Sequence, residues 1–230
     1  MSYVLCIRPQ DNTTKFLERI PNALENTFQE IVKYINIEPS DQAHVTCYDE
    51  ILRVPEDGFI IFLGHGTREY LQGAVIRGFS NAGYAKREFI NSDNIDIFKD
   101  KKVFCLSCYS SDKLGDIAIE KGAKTFVGFG EIPTELSEFE EEQEQPLKRI
   151  ISDFKGIIQE TVRESLIFAL HNDLSINQMI LHLKLLLNKK HGDVIINHKG
   201  KRDRRELGEF IYKMKKQIKV FGNGDFKVIG

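Results

Sequence analysis

Tryptophan is absent from this 230-residue chain, and cysteine is scarce, with four residues. Four cysteines are too few for a disulfide scaffold, so we expect a reducing, cytoplasmic location with the thiols buried or chemically active. The longest apolar run, residues 58–64, is far too short to cross a bilayer. The first residues lack a basic leader and a small-residue cleavage site, so we expect neither a signal peptide nor a membrane partner.

The composition is that of an ordinary globular protein, with 41% hydrophobic and 29% charged residues. No internal repeat, low-complexity tract or Pro/Gly linker interrupts the chain. A chain of this length can bury a sizeable core without disulfides or metals. We therefore expect a single domain over residues 1–230, with a core about 1–130 and a helical and closing-strand part about 146–230.

The net charge of −2 conceals two oppositely charged stretches. Residues 131–144 hold seven glutamates and no basic residue, and we assign this acidic segment no role. Residues 184–219 hold twelve lysines and arginines against four acidic residues. The basic cluster 199–205 has no recognised nucleic-acid motif or aromatic platform, so we interpret it as a solvated helix face or a contact to an acidic regulator. Nucleic acid is therefore not an expected partner.

Hydrophobic periodicity predicts strands and helices that alternate as far as residue 130. The expected strands are Tyr3–Ile7, Ala43–Tyr48, Gly58–Leu63, Leu71–Ile76, Val103–Ser107, Lys124–Gly128 and a closing pair around Val220 and Phe226–Ile229. The expected helices are Phe16–Ile35, in which Pro21 is either a kink or the first residue of the main helix, Ala82–Phe98, Ser111–Lys121 closed by Gly122, Leu147–Leu170, Ser175–Lys190 and Arg204–Lys216. This alternation predicts an α/β fold with a mostly parallel central sheet and helices on both faces.

Two of the expected strands end in residues that can perform chemistry. One is followed by Gly64-His65-Gly66, and another by Cys108. Ligands of such sheets bind at the carboxyl ends of the strands, so parallel neighbours would bring His65 and Cys108 together. A cysteine nucleophile needs such a base, because the thiolate attacks and the imidazole protonates the leaving amine. The N–H groups of Gly66 and Cys108 could then bind the oxyanion.

These residues resemble the caspase-like (clan CD) cysteine peptidases. The resemblance lies in Phe62-Leu-Gly-His65-Gly66, then Leu71-Gln-Gly73, then Val103-Phe-Cys-Leu-Ser-Cys108-Tyr-Ser-Ser. The continuation Gly122-Ala-Lys-Thr-Phe-Val-Gly-Phe129 is similar to the CHAT, separase and gingipain-type branch. The resemblance to these peptidases extends over about residues 3–130. Ser107 departs from the pattern, since alanine is usual there.

The resemblance implies a caspase-like α/β/α sandwich and a cysteine endopeptidase. Cys108 would be the nucleophile, His65 the general base and acid, and Gly66 an oxyanion donor. The reaction requires no metal and no organic cofactor. The implied partners are a protein substrate and a regulatory protein, because such peptidases are commonly held inactive until a partner acts. No third residue that orients His65 is evident from the sequence.

Glu131 follows the strand that walls the specificity pocket in caspase-like peptidases. An acidic side chain there could select Lys or Arg before the scissile bond, as separase and gingipain-type relatives do. The alternative is that Glu131 simply begins the solvated acidic segment.

Three other interpretations remain open at this point. A caspase-like fold could serve as a catalytically silent interaction or scaffolding module. Cys105 and Cys108 form a C-x-x-C pair, which is also typical of thiol-disulfide redox proteins. A zinc site would need two further ligands, and Cys6, Cys47 and His44 lack a recognisable metal spacing.

Overall fold

The computed structural model describes residues 3–76, 83–134, 144–197 and 201–229. The strands in these ranges are β1 (Val4–Pro9), β2 (Val32–Ile37), β3 (Phe59–Leu63), β4 (Tyr70–Leu71), β5 (Val75–Ile76), β6 (Tyr84–Ala85), β7 (Ile90–Asn91), β8 (Lys102–Leu106), β9 (Thr125–Gly128) and β10 (Lys219–Gly222). The α-helices are α1 (Arg19–Thr27), α2 (Asp41–Arg53), α3 (Lys113–Glu120), α4 (Glu144–His171), α5 (Ile176–Asn197) and α6 (Lys201–Gln217). Short 3-10 helices span Lys15–Glu18 and Ile95–Phe98.

A six-stranded sheet forms the centre of the molecule, in the order β10-β9-β8-β3-β1-β2. Every neighbouring pair is parallel except β10 with β9, which is antiparallel. The short strands form two separate antiparallel pairs, β4 with β7 and β5 with β6. The expected α/β fold with a mostly parallel central sheet is thus confirmed.

Hydrophobic side chains cover both faces of this sheet. Successive residues of a strand point to opposite faces, and β1 shows the consequence. Val4 and Cys6 pack in a core with α1, α4, α5 and α6, whereas Leu5 and Ile7 pack in a second core with α2 and α3. All five residues of β3 are buried, as a strand covered on both sides requires.

The strands expected from continuous apolar runs are confirmed in β1, β3, β8 and β9. The three helices expected after the acidic segment also form, as α4, α5 and α6. Helix α3 begins two residues later than expected and ends at Glu120, and Gly122 follows with a φ of 100°. This left-handed conformation is the one that glycine adopts readily after a helix.

The strand expected over Ala43–Tyr48 is wrong, because these residues lie within helix α2. The Ser40 side chain caps the helix by accepting a hydrogen bond from the N–H of Ala43. His44, Cys47 and Ile51 form the buried face, with helical spacing. Val45, which suggested a strand, is 55% exposed, so β-propensity did not decide this segment.

The helix expected over Phe16–Ile35 is wrong in its second half. Helix α1 ends at Thr27, and residues from Val32 onward form the edge strand β2, which pairs with β1. Pro21 is the third residue of α1, where its missing N–H costs no intrahelical hydrogen bond. Apolar residues spaced by four also fit a strand, and only the pairing with β1 distinguishes the two.

The segment before β8 and the end of the chain also differ from expectation. The helix expected over Ala82–Phe98 is wrong, since β6, β7 and a 3-10 helix occupy its described part; Ala82 lies outside the described residues. The strand expected over Leu71–Ile76 is divided between β4 and β5. The closing pair is half confirmed, because β10 forms while Phe226–Ile229 makes only a single bridge through Lys227.

Candidate active site

Strands β3 and β8 place His65 and Cys108 at the same edge of the sheet. The two strands are parallel neighbours, and Leu63 lies opposite Leu106 in the register. His65 and Cys108 each follow their strand by two residues, so both leave the carboxyl edge at the same level. Their side chains line one pocket, which brings the two sequence-predicted residues together.

The loop after β1, the next strand in the sheet, supplies a group that orients His65. The Thr13 hydroxyl lies 2.6 Å from His65 Nε2. The Thr13 hydroxyl and its backbone N–H both donate to Asp11 Oδ1, at 2.6 and 2.7 Å. The Asp11 oxygen itself lies 3.9 Å from Nε2, so the Thr13 hydroxyl bridges carboxylate and imidazole.

This arrangement determines which imidazole nitrogen carries the proton. Because the Thr13 hydroxyl donates its hydrogen to Asp11, it accepts from Nε2–H of His65. The other nitrogen, Nδ1, is then the basic one in the neutral ring. Burial raises the pKa of the Asp11 carboxyl, and its contacts with His65 and Thr13 outweigh burial and hold that pKa well below its usual range.

Sequence reasoning missed Asp11 and Thr13. The available signal was their position directly after β1, since in a parallel sheet the loops after neighbouring strands meet. Recognising it required knowing that β1 pairs with β3, which local periodicity does not provide.

Hydrogen bonds to the loop after β9 fix the turn that carries Cys108. Tyr109 adopts a left-handed conformation, with a φ of 57°, directly after the cysteine. Its N–H donates to the Gly130 carbonyl at 2.9 Å, and the N–H of Ser111 donates to the Phe129 carbonyl at 2.9 Å. The Cys108 thiol is partly exposed and donates to the carbonyl oxygen of Ile132, at 3.4 Å. The Cys108 sulfur is therefore held against the loop after β9.

Gly66 lies against the end of β8, where a side chain has no room. A Cβ at this position would collide with Ser107 Oγ and would lie 3.1 Å from the carbonyl oxygen of Tyr70. The residues before and after Gly66 make backbone hydrogen bonds: the Gln72 N–H donates to the His65 carbonyl, and the Thr67 N–H donates to the Tyr70 carbonyl. Neither uses the N–H of Gly66, which suits a group that is to bind an oxyanion.

Ser107 contributes a buried hydroxyl at the same place. The residue is 1% exposed, and its Oγ has no hydrogen-bond partner among the described residues. The departure from alanine at this position therefore adds an unsatisfied polar atom next to Gly66.

The pocket that His65 and Cys108 share is small and largely apolar. Its interior is about 20 Å³, which is room for roughly one water molecule. Apolar walls come from the segment before α1, from β8, from the loop after β9 and from α4, through Phe16, Leu17, Leu106, Ile132 and Ile158.

Glu131 does not line this pocket. Its N–H donates to Gln217 Oε1 at 2.9 Å, which ties the residue to the end of α6. A hydrogen bond to Glu209 is the main cause of a raised pKa at Lys213, and the Glu131 charge adds to it. The expected role of Glu131 in substrate binding thus gains no support from its position. Most of the acidic segment that follows, residues 135–143, lies outside the described residues.

Cys105 and Cys108 lie on opposite faces of the sheet. Cys105 is completely buried in the core with α2 and α3, whereas Cys108 packs against the core with α4. Burial raises the pKa of the Cys105 thiol, and a hydrogen bond from Ser110 offsets only part of this effect. A disulfide between the two would require β8 to be rearranged, so the geometry disfavours the redox interpretation.

Part of the basic cluster 199–205 borders an open groove between α5 and α6. Arg204 and Arg205 line this groove, whose volume is about 540 Å³, together with the ring of Tyr212. One aromatic residue, Tyr212, thus lies near the basic cluster. Lys199 and Gly200 lie outside the described residues.

The described residues show neither a cluster of metal ligands nor a membrane-spanning helix. Within the described ranges, no group of three or more His, Cys, Asp and Glu side chains could hold a metal ion. No described helix is long and apolar enough to span a bilayer.

No protein-family model, curated protein or solved structure matches this chain.

Proposed function

We propose that this chain is a caspase-like cysteine endopeptidase, with a caspase-like α/β/α sandwich as its fold. The observation that carries the proposal is the shared pocket of His65 and Cys108 at the ends of adjacent parallel strands. The contact of Thr13 with His65 supplies the orienting group that a histidine base needs. The motifs that resemble clan CD peptidases are the second line of support.

Acylation begins when the Cys108 thiol gives its proton to Nδ1 of His65. The sulfur bonds to the carbonyl carbon of the substrate, and the carbonyl oxygen becomes an oxyanion beside the N–H groups of Gly66 and Cys108. The carbon–nitrogen bond then breaks, and the imidazolium gives its proton to the leaving amine. Asp11, acting through Thr13, stabilises the imidazolium while it exists.

Deacylation repeats the sequence with water as the nucleophile. His65 takes a proton from water, and the water oxygen bonds to the thioester carbon. The carbon–sulfur bond breaks, the proton returns to the Cys108 sulfur, and the acyl group leaves as a carboxylic acid. The chain's own residues suffice for these steps.

The contact between Cys108 and Ile132 supports control of this peptidase by a protein partner. The Ile132 carbonyl accepts a hydrogen bond from the Cys108 thiol, and the interior holds about one water molecule. Loss of this hydrogen bond leaves the sulfur free to attack a peptide. We propose a protein substrate, a regulatory partner that favours the loss of this contact, and a cytoplasmic location, where cysteines such as Cys6 and Cys47 stay reduced.

Covalent labelling with a peptidyl acyloxymethyl ketone tests the proposal. The Cys108 sulfur would bond to the methylene carbon of the probe, its proton would pass to His65, and a carboxylate would leave. We expect peptide mapping by mass spectrometry to locate the label on Cys108, with loss of labelling in Cys108→Ala and in His65→Ala. Labelling that persists in His65→Ala would contradict the proposed role of His65 as the base of Cys108.

The small size of the pocket also favours one second candidate, a caspase-like module that binds partners without catalysis. A Cys108 thiol that iodoacetamide alkylates, but that no peptidyl probe labels, would support this candidate against the peptidase.

A further inference from the structure

The described residues that line the pocket beside Cys108 include no fixed charge that could select a charged substrate side chain. Of these residues, the ionisable ones are His65 and Cys108, which are needed for the chemistry. The other polar side chains of the lining are the hydroxyls of Thr14 and Thr134. A substrate residue placed next to the sulfur therefore meets a neutral surface.

Asp11 and Glu131, two carboxylates near the site in the described part of the chain, are held by other contacts. Asp11 accepts both hydrogen bonds from Thr13. Glu131 lies beside Gln217 and near Lys213 of α6. An arginine or lysine in the pocket would thus lose its hydration without gaining an opposite charge, and an aspartate would do the same.

The size of the pocket limits the side chain further. About 20 Å³ accepts one methyl group or hydroxyl without movement of the walls. Ile132 is 5% exposed and Thr134 is 7% exposed, so both are packed in place. A longer side chain would have to displace them.

We propose that the residue before the scissile bond is small and uncharged, such as alanine or serine. This inference rests on the proposed peptidase function and names its substrate class. It replaces the basic preference suggested by Glu131 in the sequence. Ile132 and Thr134 are then the residues that determine specificity.

A panel of peptidyl acyloxymethyl ketones that differ only at the cleavage position tests this proposal on the full chain. The panel carries Ala, Leu, Arg, Lys or Asp, and the second-order rate constant for labelling of Cys108 is measured for each. We expect the Ala probe to label at least about 100-fold faster than the Arg, Lys and Asp probes. Equal or faster labelling by any charged probe overturns the inference and leaves the peptidase function standing.

Two variants of the pocket wall test the same inference by changing the protein instead of the probe. Thr134→Asp adds a carboxylate at nearly constant size and should raise the Arg rate constant relative to Ala by at least about tenfold. Ile132→Ala enlarges the pocket and should raise the Leu rate constant relative to Ala by a similar factor. If both variants fold, as judged by thermal melting, and neither changes these ratios of rate constants, the pocket does not determine specificity.

Glu131→Gln tests whether Glu131, rather than Ile132 and Thr134, determines specificity. We expect the order of the probes to be the same in this variant as in the parent chain, because Glu131 faces α6. A selective loss of Arg and Lys labelling would overturn the inference in favour of Glu131. If no probe labels Cys108 while iodoacetamide still alkylates it, the proposed function fails, and this inference fails with it.

Discussion

Replacing Thr13 with valine removes the hydroxyl that links His65 to Asp11 and keeps the branched shape of the side chain. The hydroxyl lies 2.6 Å from both His65 Nε2 and Asp11 Oδ1. A hydrogen bond that involves a charged group contributes about 1.5–3 kcal/mol, and every 1.36 kcal/mol is a factor of ten. Because the imidazole is charged in the transition state, we expect labelling of Cys108 by the Ala probe to slow by about 10- to 150-fold.

The assay compares Thr13→Val with Thr46→Val. Thr46 is an exposed threonine on α2 whose hydroxyl bonds only to the Gln42 carbonyl, so it controls for loss of a hydroxyl elsewhere. Labelling rates are measured across pH together with the ¹⁵N chemical shifts of the His65 ring. We expect Nε2 to carry the proton in the parent chain and this preference to disappear in Thr13→Val only.

An unchanged rate and an unchanged tautomer in Thr13→Val would refute the role of the Thr13 hydroxyl. A slower rate with an unchanged tautomer and pH profile would also contradict it, because that result indicates a structural defect rather than loss of an orienting contact.

Four further outcomes follow from the described contacts. Gly66→Ala should slow labelling strongly, since its Cβ collides with Ser107 Oγ, and adding Ser107→Ala should restore part of the rate. Ser107→Ala alone should leave stability unchanged or raise it by up to about 1 kcal/mol in urea denaturation, because a buried hydroxyl without a partner is removed. The pKa of Asp11 is lower in the folded chain, so ionised Asp11 stabilises the fold at pH values above its unfolded pKa. In urea denaturation, the parent chain should therefore have a higher free energy of unfolding than Asp11→Asn at pH 6, and this difference should shrink as the pH falls below about 4. Phe154→Ala should cost about 3–5 kcal/mol, against less than 1.5 kcal/mol for the 44% exposed Phe168→Ala, and equal losses would contradict the assigned core.

The central strands were predictable because their apolar runs are continuous. A strand such as β3 is buried on both faces, and that requirement is visible in five consecutive large apolar residues. The three long helices after the acidic segment were predictable for a similar reason, since their apolar residues repeat over several turns.

The segments between β1 and β3 were not predictable to the same degree. Helix α2 and strand β2 both contain β-branched residues at spacings that fit either structure. Which one forms depends on contacts with distant residues, such as the pairing of Val32 with Val4. Local periodicity contains no information about that pairing.

The amino-acid order alone specifies which chemical groups are available and where they stand relative to the strands. His65 and Cys108 directly follow two apolar runs, and in a parallel sheet this is sufficient to predict that they share an edge. Their shared pocket agrees with that expectation.

What surrounds these two residues depends on how the whole chain folds. The order of the strands places the loop after β1 next to His65, so that Thr13 and Asp11 reach its ring. The Ile132 carbonyl contacts the Cys108 thiol, and the N–H of Glu131 bonds to Gln217 at the end of α6. These contacts join residues far apart in the chain, and their energies depend on burial and distance rather than on local pattern, which is why only the folded chain determines them.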